Sequence, residues 1–118
     1  MDQRLKEAMD FSNLRKVLFN AKADLRLKCE ARLKYSIDGG IFDIDRTLIA
    51  FVKLLLDDGR QDVVLIDRNQ NPIRIQDLKS FYDEIFSRYF EATNMYHTDY
   101  TRMRQARTIE ELIDIGDK

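Results

Sequence analysis

Acidic and amide side chains alternate in the segment DRNQNP as they do in a calcium-binding loop. Asp67, Asn69 and Asn71 would supply the first three oxygen ligands of such a loop. The sixth position, however, is Pro72 where the loop needs glycine, and the twelfth is Leu78 where a bidentate glutamate closes the shell. The pattern therefore favours a polar turn over a metal site.

A second acidic pattern, in the segment IFDIDRTLI, resembles the first motif, DxDxT, of haloacid-dehalogenase-type phosphatases. The resemblance implies a nucleophile at Asp43, a general acid and base at Asp45 and a packing residue at Thr47. That family places the motif at the end of a buried strand, whereas here two glycines precede it and a helix is expected to follow. The acidic pair of the family's final motif would have to be Asp57 and Asp58, which lie too close in sequence. Asp43 and Asp45 are therefore predicted to cap a helix.

The remaining reactive side chains are isolated in the sequence. His97 is the only histidine and Cys29 the only cysteine, so neither a zinc site nor a histidine-based triad can be assembled within one chain. A lone cysteine also excludes an internal disulfide, which fits a reducing compartment. We expect no catalytic residue, no cofactor and no metal, and hence a protein that is not an enzyme.

The composition is that of a folded, helix-rich chain. Its 118 residues are 44% hydrophobic and 35% charged, with four glycines and one proline, and they suffice for one domain. The net charge of −1 provides no overall attraction to nucleic acid or to membranes. The first ten residues lack the apolar core of a signal peptide, and we expect a cytoplasmic protein without a membrane partner.

Apolar periodicity predicts a mainly α fold with one small β-hairpin (α+β), in which two long amphipathic helices pack in a coiled-coil-like manner beside a buried central helix. Ser12 and Asp77 are expected to cap the long helices, and Gly59 to end the central one. The central helix is apolar nearly all round, so it should be the most buried element. The single domain, residues 1–118, is predicted to comprise an N-terminal arm at 1–10, helices at 12–35, 44–58 and 77–106, a hairpin at 62–75 and a short C-terminal helix at 108–115.

The long helix after the hairpin has an apolar arc about 180° wide, whereas a single packing surface requires only about 100°. The helices therefore carry more apolar surface than the chain's own elements can cover. We expect a structural or adaptor protein that binds itself or other protein subunits. The predicted interface combines apolar residues of both long helices: Leu14, Leu18 and Leu25 in the first, and Phe81, Phe86, Phe90, Tyr96, Tyr100 and Met103 in the second.

Basic side chains of the first helix indicate an alternative function. A nucleic-acid-binding or transcription accessory factor would use Arg15, Lys16, Lys22, Arg26 and Lys34, together with Arg102, Arg104 and Arg107. A single-strand binder requires aromatic side chains between such charges, and we expect none to interleave with them here. A solvated basic flank is therefore favoured over a nucleic-acid surface.

The run from Val63 to Ile113, with its segment FEATNMY, is similar to small, mostly uncharacterised proteins encoded by large contractile-tailed phages of aquatic bacteria. The similarity rests on the passage from hairpin to helix and on FEATNMY, covers roughly the second half of the chain, and includes no catalytic motif. It implies a virion component or an assembly factor, located in the host cytoplasm or in the virion.

Overall fold

The structure is a computed structural model that describes residues 2–106. In these residues, three helices and two β-hairpins follow one another along the chain. In order they are α1 (Gln3–Arg32), β1 (Lys34–Ile37), β2 (Gly40–Asp43), α2 (Arg46–Asp57), β3 (Val63–Ile66), β4 (Pro72–Ile75) and α3 (Leu78–Gln105). The predicted mainly α fold is confirmed, and a second hairpin is added to it. None of the described helices is long and apolar enough to cross a membrane.

α1 is one continuous helix, so the prediction of a separate arm at residues 1–10 is wrong. The carboxylate of Asp2 accepts the amide of Arg4 at 3.3 Å, and the helix is already formed when the chain reaches Ser12. Residues 5–8 are strong helix formers, and a serine inside a helix costs less than about 1 kcal/mol. The serine therefore does not interrupt the helix that it was expected to start.

A second hairpin begins directly after α1, which therefore ends before the predicted residue 35. β1 and β2 pair antiparallel, with Ile37 opposite Gly40. The two residues between them, Asp38 and Gly39, have positive φ angles of 51° and 82°, which is the conformation of a type I′ turn. This turn therefore joins two strands, close to where the sequence predicted the end of a helix at residue 35.

α2 starts at one of the caps predicted for it. Asp45 accepts the amide of Leu48 at 2.7 Å, and Gly59 adopts a left-handed φ of 79° after the helix ends. The prediction that this helix is the most buried element is wrong. Only Val52 is buried in this fully described helix, whereas Phe51 is 48% exposed. α2 thus packs one apolar stripe against the hairpins and α3 and leaves another to solvent.

The predicted hairpin at residues 62–75 is confirmed as β3 and β4, which pair antiparallel with Ile66 opposite Pro72. Pro72 is the first residue of its strand, as expected of a residue that cannot donate to the strand ladder. In the connecting turn, the amide of Gln70 donates to the carbonyl of Asp67 at 3.1 Å. Gln70 has a φ of 65°, a conformation that is costly for residues other than glycine.

α3 begins at its predicted cap and follows the predicted course. The carboxylate of Asp77 accepts the amide and the hydroxyl of Ser80 at 3.1 and 2.8 Å, and these hydrogen bonds lower the pKa of Asp77. The amide of Leu78 donates to the carbonyl of Gln61 at 3.0 Å, which holds the helix start against the segment before β3. The predicted short helix at 108–115 lies outside the described residues.

The described residues form two units, each with its own hydrophobic cluster. In the unit of residues 30–93, the buried cluster contains Phe42, Ile44, Val52, Leu65, Ile73, Ile75, Leu78, Phe81 and Ile85. In the unit of residues 2–29 and 94–106, α1 and α3 pack together, as predicted, around Leu25, Met103 and Ala106. The single domain predicted for residues 1–118 stays a prediction.

Candidate interaction surfaces

α3 carries a row of contacting aromatic rings in the unit of residues 30–93. The ring centroid of Phe86 lies 5.4 Å from that of Tyr82 and 4.8 Å from that of Phe90, which is also 6.0 Å from Tyr89. A spacing of four residues places such rings on one helix face. Phe86 and Phe90 are 41% and 48% exposed, and we call them the phenylalanine pair of α3.

Charged side chains border this row of rings. The Nζ atoms of Lys53 and Lys79 lie 5.9 and 5.5 Å from the ring centroid of Tyr82, within reach of a cation–π interaction. Lys79 also forms an ion pair with Asp83 at 2.7 Å, and this contact raises the pKa of Lys79. At about 100° per residue, Lys79 and Asp83 lie on the same face of α3 as the phenylalanine pair. The positive charge of Lys79 and the negative charge of Asp83 therefore cancel beside the exposed rings of the phenylalanine pair.

Three residues of the predicted interface are buried within the chain itself. Phe81, Leu25 and Met103 are 1%, 4% and 5% exposed and belong to the two hydrophobic clusters. A buried side chain offers no surface to a partner, so their assignment to an interface is corrected. Part of the wide apolar arc of α3 is covered by the hairpins and part by α1, so its width does not by itself require a partner.

The other predicted interface residues differ in exposure. Leu14, Leu18 and Tyr100 are partly buried and pack against the cluster between α1 and α3. Tyr96 is half-buried, with its ring centroid 6.4 Å from that of Tyr100. Within the predicted set, only Phe86 and Phe90 are exposed. The predicted interface is therefore limited to the phenylalanine pair of α3, where it stays a prediction.

A further exposed apolar surface, which the sequence interpretation did not include, lies on β3 and α2. Val64 and Ile66 are 60% and 58% exposed, whereas Leu65 between them is buried. Phe51 of α2 borders the same shallow cleft as Ile66. The run VVLI could have indicated this surface, because a strand with one buried face exposes every second side chain.

Asp67 is the only charged side chain that is buried among the described residues, with 4% of its surface exposed. One carboxylate oxygen accepts the amide of Ile41 at 3.0 Å, and the other accepts the amides of Asn69 and Asn71, both at 2.9 Å. These hydrogen bonds, the one from Ile41 foremost, hold the pKa of Asp67 below its usual range. The amide of Arg68 donates to the carbonyl of Ile41 at 2.9 Å, so the two hairpins are joined at this point. The polar turn predicted for this segment is confirmed. The carboxylate of Asp67, which would be the first ligand of a calcium-binding loop, instead accepts hydrogen bonds from backbone amides.

The two aspartates of the phosphatase-like motif have structural partners. The capping role is confirmed for Asp45, whereas Asp43 ends β2 and lies 3.4 Å from the Nε of Arg68. Thr47 borders an open cleft together with both of them. Among the residues that the structure describes, no group of three or more histidine, cysteine or acidic side chains is arranged to hold a metal ion.

Basic residues of the alternative function lie beside aromatic side chains on α1. Arg15 and Lys16 border one surface depression together with Phe11 and Phe19, which are 63% and 75% exposed. The expectation that no aromatic side chains interleave with these charges is therefore wrong. Lys34 belongs to β1, in the unit of residues 30–93. Of the others, Lys22, Arg26, Arg102 and Arg104 are exposed and Arg107 lies outside the described residues.

No family model matches the chain, and neither the curated proteins nor the solved structures contain one that matches it.

Proposed function

We propose that this is a non-enzymatic structural or adaptor protein that binds a second copy of itself through the phenylalanine pair of α3. One observation carries the proposal: two half-exposed phenylalanine rings contact each other on one helix face, 4.8 Å apart. Contiguous exposed apolar groups mark interaction sites more often than scattered ones do. The similarity of residues 63–113 to proteins of contractile-tailed phages supports a role as a virion or assembly component.

The strength of such a contact follows from the area that it removes from water. Complete burial of a phenylalanine side chain contributes about 1.5–3 kcal/mol. These rings are already about half buried, so each would contribute about 1 kcal/mol. A twofold contact buries two pairs and gains about 4 kcal/mol, which offsets only part of the entropic cost of association, so the side chains around the pair must supply the rest. We expect weak association of the isolated protein, strengthened wherever an assembly holds many copies together.

The charge beside the phenylalanine pair fits a contact between identical surfaces. Lys79 and Asp83 neutralise each other on that face of α3, so two copies can meet there without repulsion between like charges. A twofold axis would place Phe86 of one copy against Phe90 of the other, because residues exchange partners across such an axis. The exposed phenylalanines of α1 lie among basic side chains, where two copies would repel each other.

Sedimentation equilibrium from micromolar to millimolar protein tests the proposal. The average mass of the wild-type protein is expected to rise with concentration, whereas the double variant Phe86→Ser, Phe90→Ser stays at the mass of one chain. Phe51→Ser is a matched control, because Phe51 is as exposed as Phe90 (48% each) but lies on α2. This control is expected to associate like the wild type.

Circular dichroism would establish that the variants keep their helices, since all three substituted side chains are exposed. A wild-type protein that remains monomeric at millimolar concentration would overturn the proposal. So would a double variant that associates as strongly as the wild type.

A further inference from the structure

Two exposed aromatic rings and several basic side chains share one face of α1. Phe11 and Phe19 are eight positions apart, about 12 Å along the helix axis, and Arg15 lies midway between them. At about 100° per residue, these three side chains fall within a quarter-turn of the helix. Both rings are largely exposed, at 63% and 75%. We call this surface the cationic face of α1.

The charge on the cationic face is mostly positive from residue 4 to residue 22. Its basic members are exposed and comprise Arg4, Arg15, Lys16 and Lys22. Of the two acidic residues in this stretch, Asp10 lies about 140° from Arg15 around the helix, whereas Glu7 lies about 80° away, at the edge of the face, and accepts the side-chain amide of Gln3 at 3.2 Å. The face is therefore locally cationic although the whole chain carries a net charge of −1.

The apolar stripe of α1 borders this face and packs against α3. Leu14, Leu18 and Leu25 pack with Met103 in the cluster between α1 and α3. Phe11 and Phe19 are not members of that cluster and remain exposed. Packing within the unit thus explains the leucines of α1 but not its phenylalanines.

We propose that the cationic face of α1 binds single-stranded nucleic acid. Proteins that bind single strands without sequence preference combine basic side chains, which contact phosphates, with aromatic side chains on which bases stack. Here Arg15, Lys16 and Lys22 contact the phosphates, and the rings of Phe11 and Phe19 stack on two bases. This proposal is independent of self-association, because it uses a different helix and a different pair of rings.

A single strand fits this face better than the other polyanions do. Bases in a duplex are stacked on one another and offer no free faces to two phenylalanine rings. A helix that lies on an anionic membrane inserts a continuous apolar face, and the apolar stripe of α1 is occupied by α3. The two separated rings can stack on bases while the basic side chains around them contact phosphates, and a single strand offers both groups in alternation.

Fluorescence anisotropy with a labelled oligothymidylate of about 16 nucleotides, the upper end of common site sizes, tests the proposal. The wild-type protein is expected to bind it with a slope of log K against log salt of about −2, since three phosphate contacts each contribute about −0.7. The double variant Phe11→Leu, Phe19→Leu is expected to bind roughly tenfold or more weakly, because leucine keeps the apolar area but cannot stack. Arg15→Gln, Lys22→Gln is expected to reduce the salt slope.

The matched control is Phe86→Leu, Phe90→Leu, which alters an exposed pair of rings on the neutral face of α3 and is expected to bind like the wild type. A duplex of the same length and vesicles of phosphatidylserine and phosphatidylcholine serve as competing ligands. The proposal is overturned if the oligothymidylate does not bind, if Phe11→Leu, Phe19→Leu binds it undiminished, or if the duplex or the vesicles bind more tightly. Sedimentation of the same variants separates failure of this proposal from failure of self-association.

Discussion

At the scale of single residues, Asp67 shows how a charged side chain can be buried without an ion pair. Its carboxylate accepts three backbone amides, one from β2 and two from its own turn. Hydrogen bonds to the ionised form offset the loss of hydration. The same carboxylate connects the two hairpins, so its protonation state affects more than its own turn.

We predict that Asp67→Asn lowers stability at neutral pH and reduces the pH dependence of unfolding in acid. The pKa of Asp67 is depressed in the folded state, so its stabilisation is fully present above the ordinary carboxylate pKa of about 4. That stabilisation is lost as the pH falls through the lower folded-state pKa. Urea unfolding at neutral and acidic pH would measure the effect, with the exposed Asp43→Asn as control. Equal loss of stability in the two variants would contradict this role of Asp67.

At the scale of elements, the two hairpins turn by different means. The turn between β1 and β2 uses Asp38 and Gly39, residue types that tolerate positive φ. The turn between β3 and β4 requires positive φ at Gln70, which has no such tolerance. The backbone of the second turn is therefore strained at Gln70, and the hydrogen bonds of Asp67 hold the turn in this conformation.

We predict that Gln70→Gly stabilises the protein by up to about 1 kcal/mol, because glycine adopts positive φ without steric cost. Asn69→Gly is the control in the same turn, where φ is not positive and glycine should destabilise by roughly 0.5–1 kcal/mol through its greater freedom in the unfolded chain. Chemical denaturation would measure both changes. A destabilised Gln70→Gly variant would contradict the presence of strain at this turn.

At the scale of the whole molecule, the described residues divide between two hydrophobic clusters, one in each unit. The cluster of the unit of residues 30–93 is built from both hairpins, α2 and the first part of α3. The cluster of the other unit is smaller and is centred on Leu25, Met103 and Ala106. A cluster of so few side chains depends strongly on each of them.

We predict that Leu25→Ala reduces the free energy of unfolding by about 2–5 kcal/mol, as large-to-small changes do at buried leucines. Leu27→Ala is the control two residues away: Leu27 is 56% exposed, and its loss should change stability by no more than about 0.5 kcal/mol. Urea denaturation would measure both, and amide exchange should accelerate around Leu18 and Tyr100 in the first variant only. Similar effects of the two substitutions would show that this cluster does not stabilise α1.

Local sequence signals predicted much of the fold, and they failed where two signals competed. The caps Asp45 and Asp77 were correct because a cap depends on the next three residues alone. Ser12 was wrong as a cap because the helix formers before it continue the helix through it. The first hairpin is missing from the prediction, although the pair Asp38 and Gly39 between alternating apolar residues is a hairpin signal.

The sequence by itself determined the periodicity of α3, the position of the second hairpin and the identity of two caps, because each of these depends on neighbours along the chain. Only the tertiary structure decided that Phe81 is buried while Phe86 and Phe90 are exposed, since all three lie on one wide apolar arc. It likewise separated the leucines of α1 from Phe11 and Phe19. Periodicity places a side chain on a face of a helix, but whether that face is covered depends on segments that are distant in sequence.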